Sequence, residues 1–406
     1  MNILFLTITK FDDIAERGIY TDLMRKFRTE GHGVYIVSPV ERRYKLPTTL
    51  VKQDGVSHLK IRTLNFQKTN LVEKGISTLL IEYQFQKEIK KYFLGIKFDL
   101  ILYSTPPITF SRIVKYIKAK HLSTSYLLLK DIFPQNAVDL GMMKGNGLIH
   151  RLFRAKEHKL YAISDFIGCM SPANVEFICK HNPTIKNEIV HVNPNSILPT
   201  VNDLTKSQKN DIRNQYRIPN DKCVFVYGGN LGKPQGIDFL IEVLHANIAK
   251  VDCFFVIVGS GTEYGKIEKW FNISKPTNAI LLTSLAKNEY DKLVHACDVG
   301  MIFLDSRFTI PNYPSRLLSY LENEMPIITA TDSNTDIGKE AEKNGYGFFC
   351  ESGNLELINK QIDLLSTNAD LVKLMGSRGS NYLMNNFTVD KSYSIIMSCM
   401  NQLSKL

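Results

Sequence analysis

The sequence has no apolar run approaching the roughly 20 residues that a membrane-spanning helix requires. The short stretch Ile3-Leu-Phe-Leu-Thr-Ile8 has no basic segment before it, so it reads as a buried first strand rather than a signal peptide. Paired cysteines are also missing. The seven present (Cys169, Cys179, Cys223, Cys253, Cys297, Cys350 and Cys399) stand singly, mostly in apolar runs where a thiol acts as a small hydrophobe. Their odd number and the lack of any Cys-x-x-Cys spacing argue against a disulfide framework and a structural zinc, and point to a reducing, cytoplasmic location. No His-x-x-x-His pair and no convincing Asp-x-Asp element is found, so no metal is expected. Short-period repeats and low-complexity tracts are absent, which excludes solenoids and disordered arrays.

What is present is a globular chain of 406 residues, 44% hydrophobic and 22% charged, long enough for two domains. Apolar strands alternate with amphipathic stretches from end to end, the pattern of parallel sheets covered by helices. In the first half, strands are predicted at residues 2–7, 33–37, 58–61, 100–103, 125–129, 166–169 and 188–192, with helices at 20–30, 74–92 and 108–121. A Pro- and Asn-containing segment at 192–199, followed by polar residues to 210, reads as a linker. The second half repeats the alternation, with strands at 223–227, 254–258, 280–283, 299–303, 326–329 and 347–350. The expected domains are 1–195, 196–388, and a terminal amphipathic helix at 389–406 that packs back on the first domain.

Charge is distributed unevenly. Residues 1–195 hold 29 Lys and Arg against 17 Asp and Glu, whereas the remainder holds 21 against 23. No nucleic-acid reader motif or stacking platform accompanies the basic half, so an anionic membrane surface or a pyrophosphate-bearing acceptor is the better partner. The segment from Lys144 to Tyr161 sets Arg151, Arg154, Lys156 and Lys159 beside Leu148, Ile149, Leu152 and Phe153, a face suited to a lipid interface or to ordinary core packing.

Three segments carry chemistry. The first, Val224-Phe-Val-Tyr-Gly-Gly-Asn-Leu-Gly-Lys-Pro-Gln-Gly-Ile-Asp238, is a strand that breaks into glycines and resumes as a helix. Its glycines let backbone N–H groups approach an anion, the helix dipole favours negative charge, and Lys233 adds a movable cation. A second glycine loop holds Gly259 and Gly261 in a Gly-x-Gly-x-x-x-Gly run, one residue off the dinucleotide fingerprint, and the first strand has no such fingerprint. An NAD enzyme is therefore disfavoured. The third, Asn312-Tyr-Pro-Ser-Arg316 and the helix after it, places Pro314 in the first turn and aims Arg316 at an anion. Beyond the next strand, Thr335 and Asp336 are candidates for sugar hydroxyls or for capping a helix.

The order of these loops resembles the family-4 retaining glycosyltransferases of GT-B fold, in particular the WbuB-like branch of O-antigen and capsule assembly. The first half is similar too: Arg17-Gly18 with its following helix, Gly31-His-Gly-Val34, Ser104-Thr-Pro-Pro107 and Lys130-Asp-Ile-Phe-Pro134 resemble segments of that branch. The resemblance implies an α/β fold with two Rossmann-like domains whose parallel sheets face across a cleft. It implies no cofactor, a UDP-sugar donor, metal-independent chemistry and a polyprenyl diphosphate-linked saccharide as acceptor. Peripheral attachment to the inner face of the bacterial plasma membrane and an N-acetylated 6-deoxyhexosamine as the sugar follow from the same branch.

By the same resemblance, Lys233, Arg316 and Asp131 are the expected catalytic residues. The donor diphosphate is expected at Gly18, Gly229, Asn230, Gln235, Gly259, Gly261, Pro314 and Ser315, and the sugar at Asn312, Thr335 and Asp336. One departure stands out. Relatives carry two glutamates seven residues apart for sugar and ribose, and Pro311 and Ser319 occupy those places here. A nucleotide-sugar epimerase and a non-catalytic nucleotide-sugar-binding subunit are the alternatives on the same scaffold. His32, before a strand, reads as structural.

Overall fold

A computed structural model describes residues 1–10, 12–66, 69, 71–200 and 204–403, so parts of the expected linker (201–203) and of the terminal helix (404–406) lie outside the described residues. The chain forms two compact units, Met1–Leu198 with Val389–Leu406, and Pro199–Thr388. In the first unit the strands are β1 (Asn2–Leu6), β2 (Gly33–Glu41), β3 (Thr49–Gln53), β4 (Val56–Thr63), β5 (Leu100–Ser104), β6 (Thr124–Leu129), β7 (Phe166–Cys169) and β8 (Val190–Val192). They lie in the order 3-4-2-1-5-6-7-8. Every pairing is parallel except β3 with β4. That exception was not expected from the sequence. Asp54 and Gly55 both take positive φ, 49° and 75°, and close a two-residue hairpin between Gln53 and Val56.

The helices of this unit are α1 (Ile19–Thr29), α2 (Leu71–Tyr92), α3 (Ser111–His121), α4 (Gln135–Asp139), α5 (Leu148–Ile163) and α6 (Pro172–His181). Strand residues alternate between two buried faces, which is why the strands read as continuous apolar runs. Ile3, Phe5, Leu100, Leu102, Tyr126 and Leu128 form one core with Leu23, Met24 and Phe27 of α1 and with Val389, Ile396 and Cys399 of the terminal helix. Their neighbours Leu4, Leu6, Ile101, Tyr103 and Leu127 are equally buried on the other face.

The second unit runs α7 (Lys206–Gln215), β9 (Cys223–Asn230), α8 (Ile237–Ala246), β10 (Cys253–Ser260), α9 (Tyr264–Ser274), β11 (Ala279–Leu282), α10 (Lys287–His295), β12 (Val299–Phe303), α11 (Arg316–Glu322), β13 (Ile327–Thr331), α12 (Ile337–Lys343), β14 (Gly347–Glu351), α13 (Leu355–Ser366) and α14 (Ala369–Asn386). The all-parallel sheet has the order 11-10-9-12-13-14. Strand order therefore reverses between β9 and β12. A doubly wound sheet opens a crevice at that point, beyond the carboxyl ends of its strands.

After the second unit the chain returns as α15 (Val389–Leu403), which packs on α1. His32 bonds Tyr393 of this helix through Nε2 at 3.0 Å, with Phe27 in edge contact with both rings. The seven cysteines form no disulfide. No helix among the described residues is long and apolar enough to cross a membrane.

One carboxylate ties the entry and exit of the first unit together. Asp22, fully buried in its side chain, accepts from the backbone N–H of Gly18 at 3.1 Å and of Leu198 at 2.9 Å, and pairs with Arg25 at 2.5 Å. Val389 N–H donates to Ile197 O at 3.0 Å, so the outgoing and returning segments lie side by side. Asp22→Ala strands two backbone donors and an arginine; we expect a loss of about 3 kcal/mol, read as a lower midpoint in urea unfolding of the full chain.

Candidate active site

The carboxyl edge of β9 is built by close approach. A Cβ on Gly228 would lie 2.2 Å from the Tyr290 hydroxyl, and one on Gly259 would lie 1.8 Å from the Gly229 carbonyl. Gly261 is pressed in the same way on Leu231, whose carbonyl is 2.3 Å from the Cβ position. The identities of Gly259 and Gly261 are thus required by the packing of two strand ends. Gly229 is different. It has φ +116°, and its missing Cβ faces the Arg316 guanidinium at 3.7 Å. Gly236, at φ +55°, turns the loop into α8 beneath the Leu304 carbonyl, and Asp305 N–H donates to Pro234 O at 3.1 Å.

Arg316 opens α11 beside this loop. The helix starts there, so Pro314 precedes it instead of sitting in its first turn, and Ser315 is the exposed residue at the cap position. The guanidinium lies 4.4 Å over the centroid of the Tyr227 ring. Its Nη2 donates to Gln235 Oε1 at 2.6 Å, and the Tyr227 hydroxyl, whose single proton is shared with the nearer Asn230 carbonyl, approaches the same oxygen at 3.2 Å. Nη1 is enclosed yet bonds nothing. No carboxylate among the described residues pairs with this cation. Tyr320 accepts from Gly228 N–H at 3.1 Å and donates to Met301 O at 3.4 Å.

The expected residues therefore group as follows. Arg316, Gln235 and Gly229 meet at one point of the crevice, at the ends of β9 and α11. Lys233 is two residues from Arg316's partner, in the Lys233–Gln235 turn. Its side chain is exposed along an open groove of about 510 Å3 shared with Gly236, Asp305 and Arg307. Asn230 is exposed at the tip of β9, with its carbonyl held by the Tyr227 hydroxyl at 2.9 Å. Asn312 donates its backbone N–H to Thr335 Oγ1 at 3.1 Å. That hydroxyl is fully buried and donates to Asp332 Oδ2 at 2.8 Å, so Thr335 braces the loop that carries Asn312 and offers nothing to a sugar in this arrangement. Asp336 stands half-buried at the N-cap position of α12 without making a capping bond.

Tyr227, Tyr290 and Tyr320, which surround the arginine and its glycines, were not singled out by the sequence. The signal was an aromatic directly before the glycine pair. Ser319, in one of the two places where relatives carry glutamate, is half-buried on α11.

In the first unit, Gly18 has an extended φ of 173° and only the Thr21 hydroxyl near its Cβ position, at 3.2 Å, so packing does not demand glycine there. Asp131 accepts from Asn136 Nδ2 at 2.8 Å, and burial raises its carboxyl above the ordinary value. Thr105 Oγ1 receives the backbone N–H groups of Lys130 and Asp131 at 3.0 and 3.2 Å. Lys130 Nζ donates to Asn193 O at 3.2 Å, and burial pulls its pKa down to about 7. No group of three or more His, Cys, Asp or Glu able to hold a metal occurs among the described residues.

Residues 208–382 match the family model of the glycosyl transferases group 1. The match covers the greater part of the second unit. The crevice with Arg316, Gln235 and Gly229 lies inside it. The chain is 21% identical over 383 residues to the probable glycosyltransferase WbjE of Pseudomonas aeruginosa, covering 94% of this chain and 92% of that protein. Among solved structures, Anabaena HepE in complex with UDP-glucose is similar at TM-score 0.70, with 14% identity over the full length of both chains. WaaG, a glycosyltransferase involved in lipopolysaccharide biosynthesis, is similar at TM-score 0.64, with 11% identity over 97% of this chain and 98% of its own. The fold is GT-B.

The depressed Lys130 pKa predicts a pH signature. Between about pH 7 and the ordinary lysine value of 10.5 the unfolded chain holds a proton that the folded chain has lost, so stability rises with pH across that window. Below it the cost of enclosing the charged amine is fully present. Lys130→Met lacks this rise, and the difference in unfolding free energy, wild type minus variant, should climb from pH 7 to pH 10.

Proposed function

We propose that the chain is a retaining glycosyltransferase that moves a sugar from a UDP-sugar to a polyprenyl diphosphate-linked saccharide in the assembly of a surface polysaccharide. The observation that carries this reading is Arg316: an enclosed guanidinium with one nitrogen unpartnered and no carboxylate beside it. A half-buried cation whose inner nitrogen lacks a partner gains from an anion, and the crevice at a strand-order reversal is where a doubly wound sheet receives a nucleotide. A diphosphate meets both needs. UDP is favoured as the nucleotide because HepE, of the same fold, has been seen with UDP and with UDP-glucose.

The chemistry asked of these residues is electrostatic. As the bond from the anomeric carbon to the diphosphate oxygen breaks, the acceptor oxygen bonds that carbon from the same face and its proton passes to a departing phosphate oxygen. Arg316 stabilises the charge growing on that diphosphate, with Lys233 as a second, mobile cation and the Gly229 backbone leaving room for close approach. Gln235 holds Arg316 in line. Asp131, its carboxyl raised by burial, orients the acceptor hydroxyl. Asn312 and Asp336 remain the proposed sugar contacts, in place of the glutamates missing at Pro311 and Ser319. The transferred sugar is an N-acetylated 6-deoxyhexosamine, and the enzyme works on the cytoplasmic face of the bacterial plasma membrane.

The test is a screen of nucleotide sugars against lipid diphosphate-linked GlcNAc, with products and anomeric configuration read by mass spectrometry and NMR. Arg316→Ala should lower kcat/KM about a hundredfold, the ~3 kcal/mol typical of one lost donor to developing charge. Arg316→Lys should recover part of it, since a point charge replaces a planar fork. Epimerised free sugar formed without acceptor, or unaltered UDP affinity in Arg316→Ala by calorimetry, would overturn the proposal.

A further inference from the structure

The helices α2, α3 and α5 pack in one layer over the first unit's sheet. Glu82 of α2 accepts from Ile113 N–H of α3 at 3.0 Å, Thr109 Oγ1 donates to Thr78 O at 3.1 Å, and the Phe85 and Phe110 rings lie 5.4 Å apart. Further contacts join α3 to α5.

The outer surface of this layer is unusual in two ways at once. Along α2, Ile76, Leu79, Leu80 and Tyr83 follow one another at the i, i+3, i+4, i+7 spacing of a single helical stripe, and all four are exposed, Tyr83 by 66%. On α5, Leu148, Ile149 and Leu152 are exposed as well, Leu148 by 86%. Scattered exposed leucines need no explanation, but four apolar residues in one helical stripe, with three more on α5 of the same layer, do.

Charge on the same layer is of one sign. Lys87, Lys90 and Lys91 on α2, Arg112, Lys115 and Lys120 on α3, and Arg151 and Lys159 on α5 are exposed. None of the carboxylates on these three helices is. Glu82 is buried under the α3 N-terminus, Glu157 is buried against Arg154 and Tyr161, Glu73 is paired with Arg42, and Glu88 is half-buried. The helix pair α1 and α15, on the other side of the sheet, behaves in the opposite way: Lys26 is bound between Glu30 and Asp390, and the apolar residues face the core.

We propose that the α2–α3–α5 layer is a docking face for an anionic lipid bilayer, with Ile76, Leu79, Leu80 and Tyr83 entering the headgroup region and the surrounding lysines and arginines meeting lipid phosphates. Apolar residues supply insertion and cations supply attraction to a negative leaflet, and neither alone anchors firmly. The exposed cations complement a negative leaflet, the apolar stripe adds the insertion that a purely ionic contact lacks, and a second copy would be repelled by the same charge. Docking stands on this surface alone. Only its bearing on a lipid-linked acceptor rests on the transferase reading.

The experiment is flotation of the full chain with vesicles of phosphatidylglycerol and phosphatidylethanolamine, against vesicles of phosphatidylcholine alone. The wild type should float with the first and not the second, with binding falling as salt rises. Leu79→Ser with Tyr83→Ser should lower the partition coefficient at least tenfold, and Lys115→Gln with Lys120→Gln should lower it by a similar factor, at about fivefold per cation, and flatten the salt dependence. UDP affinity and the unfolding midpoint should stay at wild-type values in both variants, which separates this proposal from the fate of the transferase reading. Equal flotation of wild type and variants, flotation with neither vesicle, or a concentration-dependent dimer abolished by the same substitutions would overturn it.

Discussion

A half-buried cation with no carboxylate beside it and one enclosed nitrogen unpartnered is the constraint around which the crevice of the second unit is arranged. Arg316 keeps its place because three neutral groups partly answer its charge: the Gln235 oxygen, the face of Tyr227, and indirectly the Tyr320 hydroxyl that fixes the Gly228 backbone. A carboxylate at the same spot would satisfy the guanidinium and leave it nothing to do. Glutamine and tyrosine hold it while leaving its charge uncompensated, which is the electrostatic condition for binding an anion strongly.

The packing of β9 serves the same end from the other side. Glycine at 228, 259 and 261 lets Tyr290, the Gly229 carbonyl and Leu231 come to within distances no side chain would allow. The tip of β9 is thereby clamped between β10 and the tyrosines. Rigidity there fixes the position of Gly229 relative to Arg316. The loop after β13 is braced in a comparable way, with Asp332 accepting from Thr335 and Asn334 and so setting the Asn312 backbone.

Much of the architecture could be read from the chain because buried parallel strands leave near-continuous β-branched and aromatic runs, and because glycine loops punctuate them. The positions of β9, β10 and β12 follow from that, although β9 and β10 run on past their predicted ends through the glycines to Asn230 and Ser260. The β3 hairpin escaped because its strand is short, exposed and polar on alternate residues, although Asp54-Gly55 is a hairpin signal. At the site, residue type was a good guide where one chemistry dominates, as for Arg316, and a poor one where a group has several uses. Thr335 looked like a sugar ligand because it is a hydroxyl in a polar loop, yet the fold consumes that hydroxyl. The tyrosines looked like core because their rings are; only three-dimensional packing shows what their oxygens hold. Asp22 gave no local sign, since two of its partners lie in the chain's own backbone and one of these is 176 positions away.

The route of the chain has a bearing on biosynthesis. Residues 199–388 form an insertion whose two ends leave and re-enter the first unit beside each other, at Ile197 and Val389. On a ribosome the inserted unit is complete and able to fold while the first still lacks α15, whose Val389, Ile396 and Cys399 complete the core against α1. The half made first is finished last, and until then a strip of its greasy interior along α1 stays open to chaperones.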